Sequence, residues 1–255
     1  MKKVYRREMI RIGNVTLNGI PRIAIAVSDE EKNGLIKSCN VDIIEIRIDQ
    51  FKRLDTSYIR ENVVVRRALK IPLILTIRSK SEGGEKSIPG KTKAKIFEET
   101  ISLVDAVDIE LRSSEVSKVV NIAKKNKKLI IISWHDFKST PDNKILTKIL
   151  AEAKQKGADI VKIATKANKP DDVNRLMKFT QENKSKNIIT IALGSIGAIS
   201  RLTFPIAGSL VTYSYINKPS RGGQIPLDTL REQLRLFYPQ YNEYFIERTG
   251  TLEGA

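Results

Sequence analysis

One lysine of this sequence lies in a run of apolar residues, where lysine is seldom found. Ile160, Val161, Ile163 and Ala164 flank Lys162 on both sides. Lysine is almost never fully buried without a partner, although at a sheet edge its amine can reach water. A desolvated lysine, or one near other cations, loses its proton more easily, and the neutral amine can then attack a carbonyl carbon. The segment therefore indicates a lysine that forms a Schiff base.

The only histidine of the chain, His135, follows a second apolar run. The alternation of a strand puts it on the same face as Leu129, Ile131 and Ser133. A lone histidine is more often structural, but the end of a strand is where a barrel places acid–base groups. Because imidazole titrates near neutral pH, His135 is the natural proton carrier of this sequence.

A carboxylate and a guanidinium share one face of a third apolar run, Val41–Asp49. Strand alternation puts Glu45, Arg47 and Asp49 on one face and isoleucines on the other. A structural salt bridge would explain this pattern, but buried ion pairs are costly unless they are fully satisfied. The pattern therefore favours a functional site at the end of this run.

The next run ends at Arg78, and a loop with paired glycines follows. Gly83 and Gly84 permit a sharp turn, which would bring Glu82 back over the end of the strand. Arg47 and Arg78 are also the cations expected to favour the neutral form of Lys162.

Two later loops carry groups suited to an anionic ligand. Arg201 follows the glycine-containing segment 194–200 and can pair with a carboxylate. The glycine spacing matches neither common phosphate-binding loop. The polar loop Asn217–Gln224 is placed to close over a bound ligand.

The elements that must position these residues form a regular series. Strands that alternate with amphipathic helical segments, such as Asn143–Gln155 and Lys169–Asn183, indicate a parallel sheet. Eight units in 255 residues predict a closed (β/α)8 barrel, with an open doubly wound sheet as the alternative. The eight predicted strands are Arg22–Val27, Asp42–Ile48, Leu73–Ile77, Ala106–Leu111, Leu129–Trp134, Asp159–Ala164, Ile188–Leu193 and Ser209–Tyr215.

The ends of the chain complete the predicted architecture. Met9–Asn18 alternates around Gly13-Asn14 and predicts a β-hairpin that closes the N-terminal mouth of the barrel. No linker or repeat divides the sequence, so residues 1–255 are expected to form a single catalytic domain. The tail after Phe245 is expected to be loosely held.

The composition points to a cytoplasmic protein. A single cysteine, Cys39, excludes an internal disulfide and a cysteine-based zinc site. No signal peptide or membrane-spanning run is expected. The net charge of +16 raises the possibility of a non-catalytic nucleic-acid-binding domain. We predict no nucleic-acid partner, because the cations are spread along the whole chain and would attract an anionic substrate.

As a set, these residues resemble the type I 3-dehydroquinate dehydratases, the Schiff-base-forming family of the shikimate pathway. The resemblance extends from the hairpin to the last loop, and the order and spacing of its motifs are specific. The matching segments are Glu45–Asp49, Arg78 with Glu82–Glu85, Trp134–Phe137, Ile160–Ile163, Ile199–Arg201, and Ser220 four residues before Gln224.

The resemblance implies a role for each residue. Lys162 would form an imine with the C3 ketone of 3-dehydroquinate, and His135, assisted by Glu82, would carry protons. Arg201 would bind the substrate carboxylate, and Ser220 and Gln224 would close the site. The ring hydroxyls would be held by Glu45, Arg47 and Arg78. The family also implies no cofactor, no metal and a homodimer.

A different Schiff-base barrel, such as an aldolase or a transaldolase, is the alternative function. Such an enzyme would share a lysine equivalent to Lys162. An aldolase with a phosphorylated substrate should have a phosphate site after the last two strands. Arg201, Ser220 and Gln224 fit a non-phosphorylated acid better.

Overall fold

The computed structural model describes residues 9–219 and 222–250. The strands are β1 (Arg11–Ile12), β2 (Val15–Thr16), β3 (Ile23–Val27), β4 (Ile43–Arg47), β5 (Leu73–Thr76), β6 (Ala106–Glu110), β7 (Leu129–Asp136), β8 (Ile160–Lys166), β9 (Ile188–Leu193), β10 (Thr212–Tyr215) and β11 (Ile225–Pro226). The helices are α1 (Asn33–Ser38), α2 (Thr56–Arg67), α3 (Gly90–Thr100), α4 (Val116–Lys125), α5 (Asn143–Gln155), α6 (Pro170–Asn183), α7 (Ser200–Ala207), α8 (Leu227–Phe237) and α9 (Pro239–Thr249).

Strands β3 to β10 form the predicted (β/α)8 barrel. Each strand from β3 to β8 pairs with the next in parallel, and β10 pairs in parallel with β3. At the remaining seam the Leu210 amide donates to the Ile188 carbonyl over 2.9 Å. The Thr190 amide donates to the Ser209 hydroxyl over 3.0 Å. All eight predicted strands are therefore confirmed.

The N-terminal hairpin is also confirmed and fills one mouth of the barrel. Strands β1 and β2 pair antiparallel around Gly13, whose φ of +55° lies in the left-handed region that glycine tolerates. Ile12 and Leu17 are buried in the interior cluster that contains Ile43 and Ile131. Their burial closes the N-terminal end and leaves the opposite end for a site.

A second core lies between the strands and the surrounding helices. Helix α5 shows why these segments are helical, since Leu146, Ile149, Leu150 and Ala153 recur at helical spacing and are all buried. Asp142 begins this helix by accepting a hydrogen bond from the amide of Ile145 over 2.9 Å. Among the helices of residues 9–219 and 222–250, none has the length and apolar character needed to cross a membrane.

The expectation of a loose tail after Phe245 is wrong as far as Thr249. Helix α9 continues to that residue, because a buried carboxylate, Asp42, anchors it. Arg248 forms an ion pair with Asp42 at 2.6 Å, and the Tyr244 hydroxyl donates to the same oxygen over 2.6 Å.

Candidate active site

A pocket opens at the carboxyl ends of the barrel strands and encloses about 550 Å³, including its open mouth. It brings together every predicted site residue except Ser220, which lies outside the described residues. Its walls are formed by Ala26, Glu45, Arg47, Arg78, Glu82, Gly83, His135, Phe137, Lys162, Ala164, Ile191, Leu193, Arg201, Tyr213 and Gln224.

Lys162 is buried in this pocket, and its amine is hydrogen-bonded to three groups. Nζ donates to Glu45 Oε2 over 3.0 Å, to Asp108 Oδ2 over 3.3 Å and to the Tyr213 hydroxyl over 3.1 Å. The lysine lies in β8, whereas these partners come from β4, β6 and β10. The closed barrel is therefore what assembles the cluster around the amine.

The neighbours of Lys162 are carboxylates rather than the expected guanidinium groups. Arg47 instead forms a two-pronged ion pair with Asp49, over 2.9 and 2.7 Å. Burial alone would raise the pKa of Glu45, but the charges of Lys162, Arg78 and Arg47 together lower it to about 2. Glu45 is therefore a permanent anion that balances the charge of the buried lysine.

Arg78 is engaged by other protein groups inside the pocket wall. It donates to Asp108 over 2.8 Å and to Ser133 over 2.6 Å, and it lies 3.3 Å from Glu110. This network fixes Asp108 beside Lys162, since the carboxylate is held from two sides.

His135 and Glu82 form the second chemical unit of the pocket. Glu82 Oε2 lies 2.9 Å from His135 Nδ1 and accepts the backbone N–H of His135 over 2.9 Å. The ring of Phe137 stacks nearly parallel to the imidazole at 6.2 Å between centroids. Burial raises the pKa of Glu82 to about 7, despite the opposing charge of Arg78.

The two glycines after Glu82 hold it in this place, as their sequence predicted. Gly83 has a φ of +86°, and the Gly84 amide donates to the Ser79 carbonyl over 2.8 Å. A Cβ at Gly84 would lie 2.1 Å from the Arg78 carbonyl oxygen, so only glycine fits this turn.

Arg201 is a buried cation whose guanidinium group has donors without a protein partner in the described part of the chain. It is 3% exposed, and its Nε and Nη1 have no hydrogen-bond partner among the described residues. Burial lowers the pKa of Arg201 to about 10. Unpaired guanidinium donors in a pocket wall are suited to bind an anion such as a carboxylate.

The last loop reaches the same wall from β10. Gln224 lines the pocket, and the Gly194 amide donates to the Gly222 carbonyl over 3.2 Å. Because Gly194 follows β9, this bond ties the loop to the neighbouring strand and brings Gln224 over the pocket.

The sequence interpretation missed two residues that bond to the Lys162 amine, Asp108 and Tyr213. Asp108 had a usable signal, because Asp108 and Glu110 alternate with apolar residues in β6 as Glu45 and Arg47 do in β4. Tyr213 had none, since tyrosine is an ordinary residue in strands.

The barrel and the buried lysine at its mouth are those of the Schiff-base-forming class of (β/α)8-barrel enzymes. The chain belongs to the type I 3-dehydroquinase family, whose model matches residues 25–240. It is 36% identical to the 3-dehydroquinate dehydratase of Hydrogenobaculum sp. over 219 residues, which cover 85% of this chain and 99% of that protein. It is 37% identical to the enzyme of Aquifex aeolicus, over 85% of this chain and 98% of the other.

Solved structures of the same family share the fold. The crystal structure of type I 3-dehydroquinate dehydratase from Clostridium difficile, with covalently modified comenic acid, matches with a TM-score of 0.84 at 31% identity. The match covers 91% of this chain and 98% of that one. The structure from Aquifex aeolicus matches with a TM-score of 0.77 at 38% identity, over 85% and 99% of the two chains.

Proposed function

We propose that this protein removes water from 3-dehydroquinate to form 3-dehydroshikimate through a Schiff base on Lys162. The observation that carries the proposal is the buried Lys162 amine in one pocket with the His135–Glu82 pair and the unpaired Arg201. The family of the chain and the names of its relatives support the same reaction. Neither supports the aldolase or transaldolase alternative.

Imine formation begins at Lys162. Its ammonium group gives up a proton, for which Asp108 is an acceptor at 3.3 Å. The neutral amine attacks the C3 carbonyl carbon of the substrate, and loss of water gives a cationic imine. The imine withdraws electrons from C2, so the C2 proton becomes acidic enough to be removed near neutral pH.

His135 carries the proton in the elimination. With Nδ1 held by Glu82, we assign the transfer to Nε2. The imidazole takes the proton from C2, electrons move to form the C1–C2 double bond, and the C1 hydroxyl leaves with that proton as water. One base serves both steps because the proton and the hydroxyl leave from the same face. Hydrolysis of the imine then releases 3-dehydroshikimate and restores Lys162.

The remaining predicted residues bind the substrate. Arg201 holds its carboxylate, because two nitrogens of its buried guanidinium group have no hydrogen-bond partner among the described residues. Gln224 closes over it together with Ser220. We assign the ring hydroxyls to Glu45, Arg47 and Arg78, which also line the pocket.

The test is the formation of 3-dehydroshikimate by purified protein. Lys162→Met removes the amine and nearly keeps the side-chain volume, so this variant should have no activity. Lys166→Met is the matched control, since Lys166 ends the same strand β8 but is exposed. Turnover by the Lys162 variant, or none by the wild type, would refute the proposal. Phosphorylated sugars should give no product with any of the three proteins.

We also propose that the whole chain acts as one catalytic domain, in the cytoplasm and as a homodimer. The exposed apolar side chains of Ile206, Leu236 and Phe237 on α7 and α8 are suited to an interface between two copies. Sedimentation at micromolar concentration should give twice the chain mass, and a monomer would contradict the dimer.

A further inference from the structure

Tyr213 contacts the reactive amine, yet the steps above give it no role. Its hydroxyl oxygen accepts a hydrogen bond from Lys162 Nζ over 3.1 Å. The amine also lies 4.1 Å from the centre of the tyrosine ring. Tyr213 is 5% exposed and comes from β10, which only β3 separates from β4, the strand that carries Glu45.

The phenol differs from the other partners of the amine in what it can donate. Glu45 and Asp108 contact Nζ with carboxylate oxygens, and Glu45 remains ionised, with a pKa of about 2. Burial and the charges of these two carboxylates raise the pKa of Tyr213 well above its ordinary value. Tyr213 therefore keeps its proton. Of the three groups bonded to the amine, the Tyr213 hydroxyl is the one that can both accept and donate a proton.

Imine formation needs a proton transfer that this hydroxyl is placed to perform. Attack of the amine on the ketone gives an adduct with a positive nitrogen and a negative oxygen. Both atoms are bonded to the same carbon, so a hydroxyl within hydrogen-bond distance of Nζ can also reach the oxygen. A proton must move from the nitrogen to the oxygen before water can leave.

On the basis of the proposed function, we propose that the Tyr213 hydroxyl shuttles this proton during formation and hydrolysis of the imine. The phenol oxygen accepts a proton from Nζ while its own proton passes to the former ketone oxygen. The product is the neutral carbinolamine, and Tyr213 ends the step unchanged. Protonated His135 then supplies the second proton, the carbon–oxygen bond breaks, and the nitrogen lone pair forms the imine bond as water leaves.

The test separates imine formation from the later elimination. Tyr213→Phe keeps the ring over the amine and removes only the hydroxyl. In single turnovers with excess enzyme, borohydride quenching at successive times measures the imine, and absorbance of the conjugated product measures the elimination. We expect imine formation to slow by about hundredfold, the low end of typical proton-transfer contributions. Elimination from imine already formed should be unchanged.

Tyr244→Phe is the control, because it removes a half-buried tyrosine hydroxyl, which donates to Asp42, at the opposite end of the barrel. It should form the imine at the wild-type rate. Incorporation of 3-fluorotyrosine at position 213 retains a hydroxyl and should restore imine formation. This recovery would show that the slow rate of Tyr213→Phe comes from the missing hydroxyl and not from a loss of packing.

Two results would overturn the shuttle. One is imine formation by Tyr213→Phe at the wild-type rate, and the other is equal slowing of imine formation and elimination. Absence of any trapped imine in the wild type would instead refute the proposed function itself, so the two failures are distinguishable.

Discussion

Replacement of Arg201 by methionine should make the fold more stable and the enzyme much less active. Burial lowers the pKa of Arg201 to about 10. Because this pKa lies below that of arginine in the unfolded chain, the charged guanidinium destabilises the fold at every pH below about 10. At about 1.4 kcal/mol per tenfold change in proton affinity, the fall of roughly 2.5 in pKa corresponds to about 3 kcal/mol.

Part of that free energy should be recovered in the variant. We expect Arg201→Met to raise the free energy of unfolding by about 1–3 kcal/mol, as when other buried charges are replaced by apolar side chains. Substrate affinity should fall at least about thirtyfold, because loss of one partner of a buried charge pair costs about 2–5 kcal/mol. Urea unfolding followed by fluorescence of the single tryptophan, Trp134, measures the first quantity. The KM for 3-dehydroquinate reports the second.

Arg66→Met is the matched control for stability. Arg66 is as buried as Arg201, at 3% exposed, but it donates to the Ser28 carbonyl over 2.6 Å and to the Glu31 carbonyl over 3.2 Å. This variant should therefore be less stable than the wild type, with little change in KM. A loss of stability in Arg201→Met, or an unchanged KM, would refute the assignment of Arg201 as an unpaired anion-binding group.

Three further predictions concern the His135–Glu82 pair and its loop. The pKa of Glu82 is raised by burial from 4.5 to about 7, so the wild type should lose stability relative to Glu82→Gln as pH rises between these values. A difference in the free energy of urea unfolding between the two proteins that does not change with pH would contradict this. His135→Ala should slow turnover by about 10²–10⁴-fold while borohydride still traps the lysine adduct, and near-normal kcat would remove the histidine from the mechanism. Gly84→Ala should lower kcat, because the added Cβ would displace the loop of Glu82, whereas Gly34→Ala, with nothing within 4 Å, should not.

The barrel could be predicted because its signals are local. β-Branched runs and amphipathic helices recur eight times, and Gly13-Asn14 has the chemistry of a hairpin turn. Polar residues at alternate positions of buried strands also identified Glu45 and Lys162 as facing the interior. These patterns depend only on spacing along the chain, because the geometry of a strand determines which face of the sheet each side chain occupies.

The pairing inside the pocket could not be predicted, because it depends on which side chains meet across the barrel. Glu45, Arg47 and Asp49 share a face, but the pattern does not say that Glu45 reaches Lys162 while Arg47 turns back to Asp49. The contact of Tyr213 with Lys162 could not be predicted for the same reason, because it joins two strands that are distant in the sequence. The anchoring of α9 also depends on a distant residue, Asp42, and not on the tail's own composition.

The most direct test of a Schiff base on Lys162 is to incubate the protein with 3-dehydroquinate, add borohydride, and map the adduct by mass spectrometry. We expect one ligand-sized adduct on the peptide that contains Lys162, retained in Lys166→Met and absent from Lys162→Met. An adduct on another lysine, or 3-dehydroshikimate formed with no adduct at all, would contradict it.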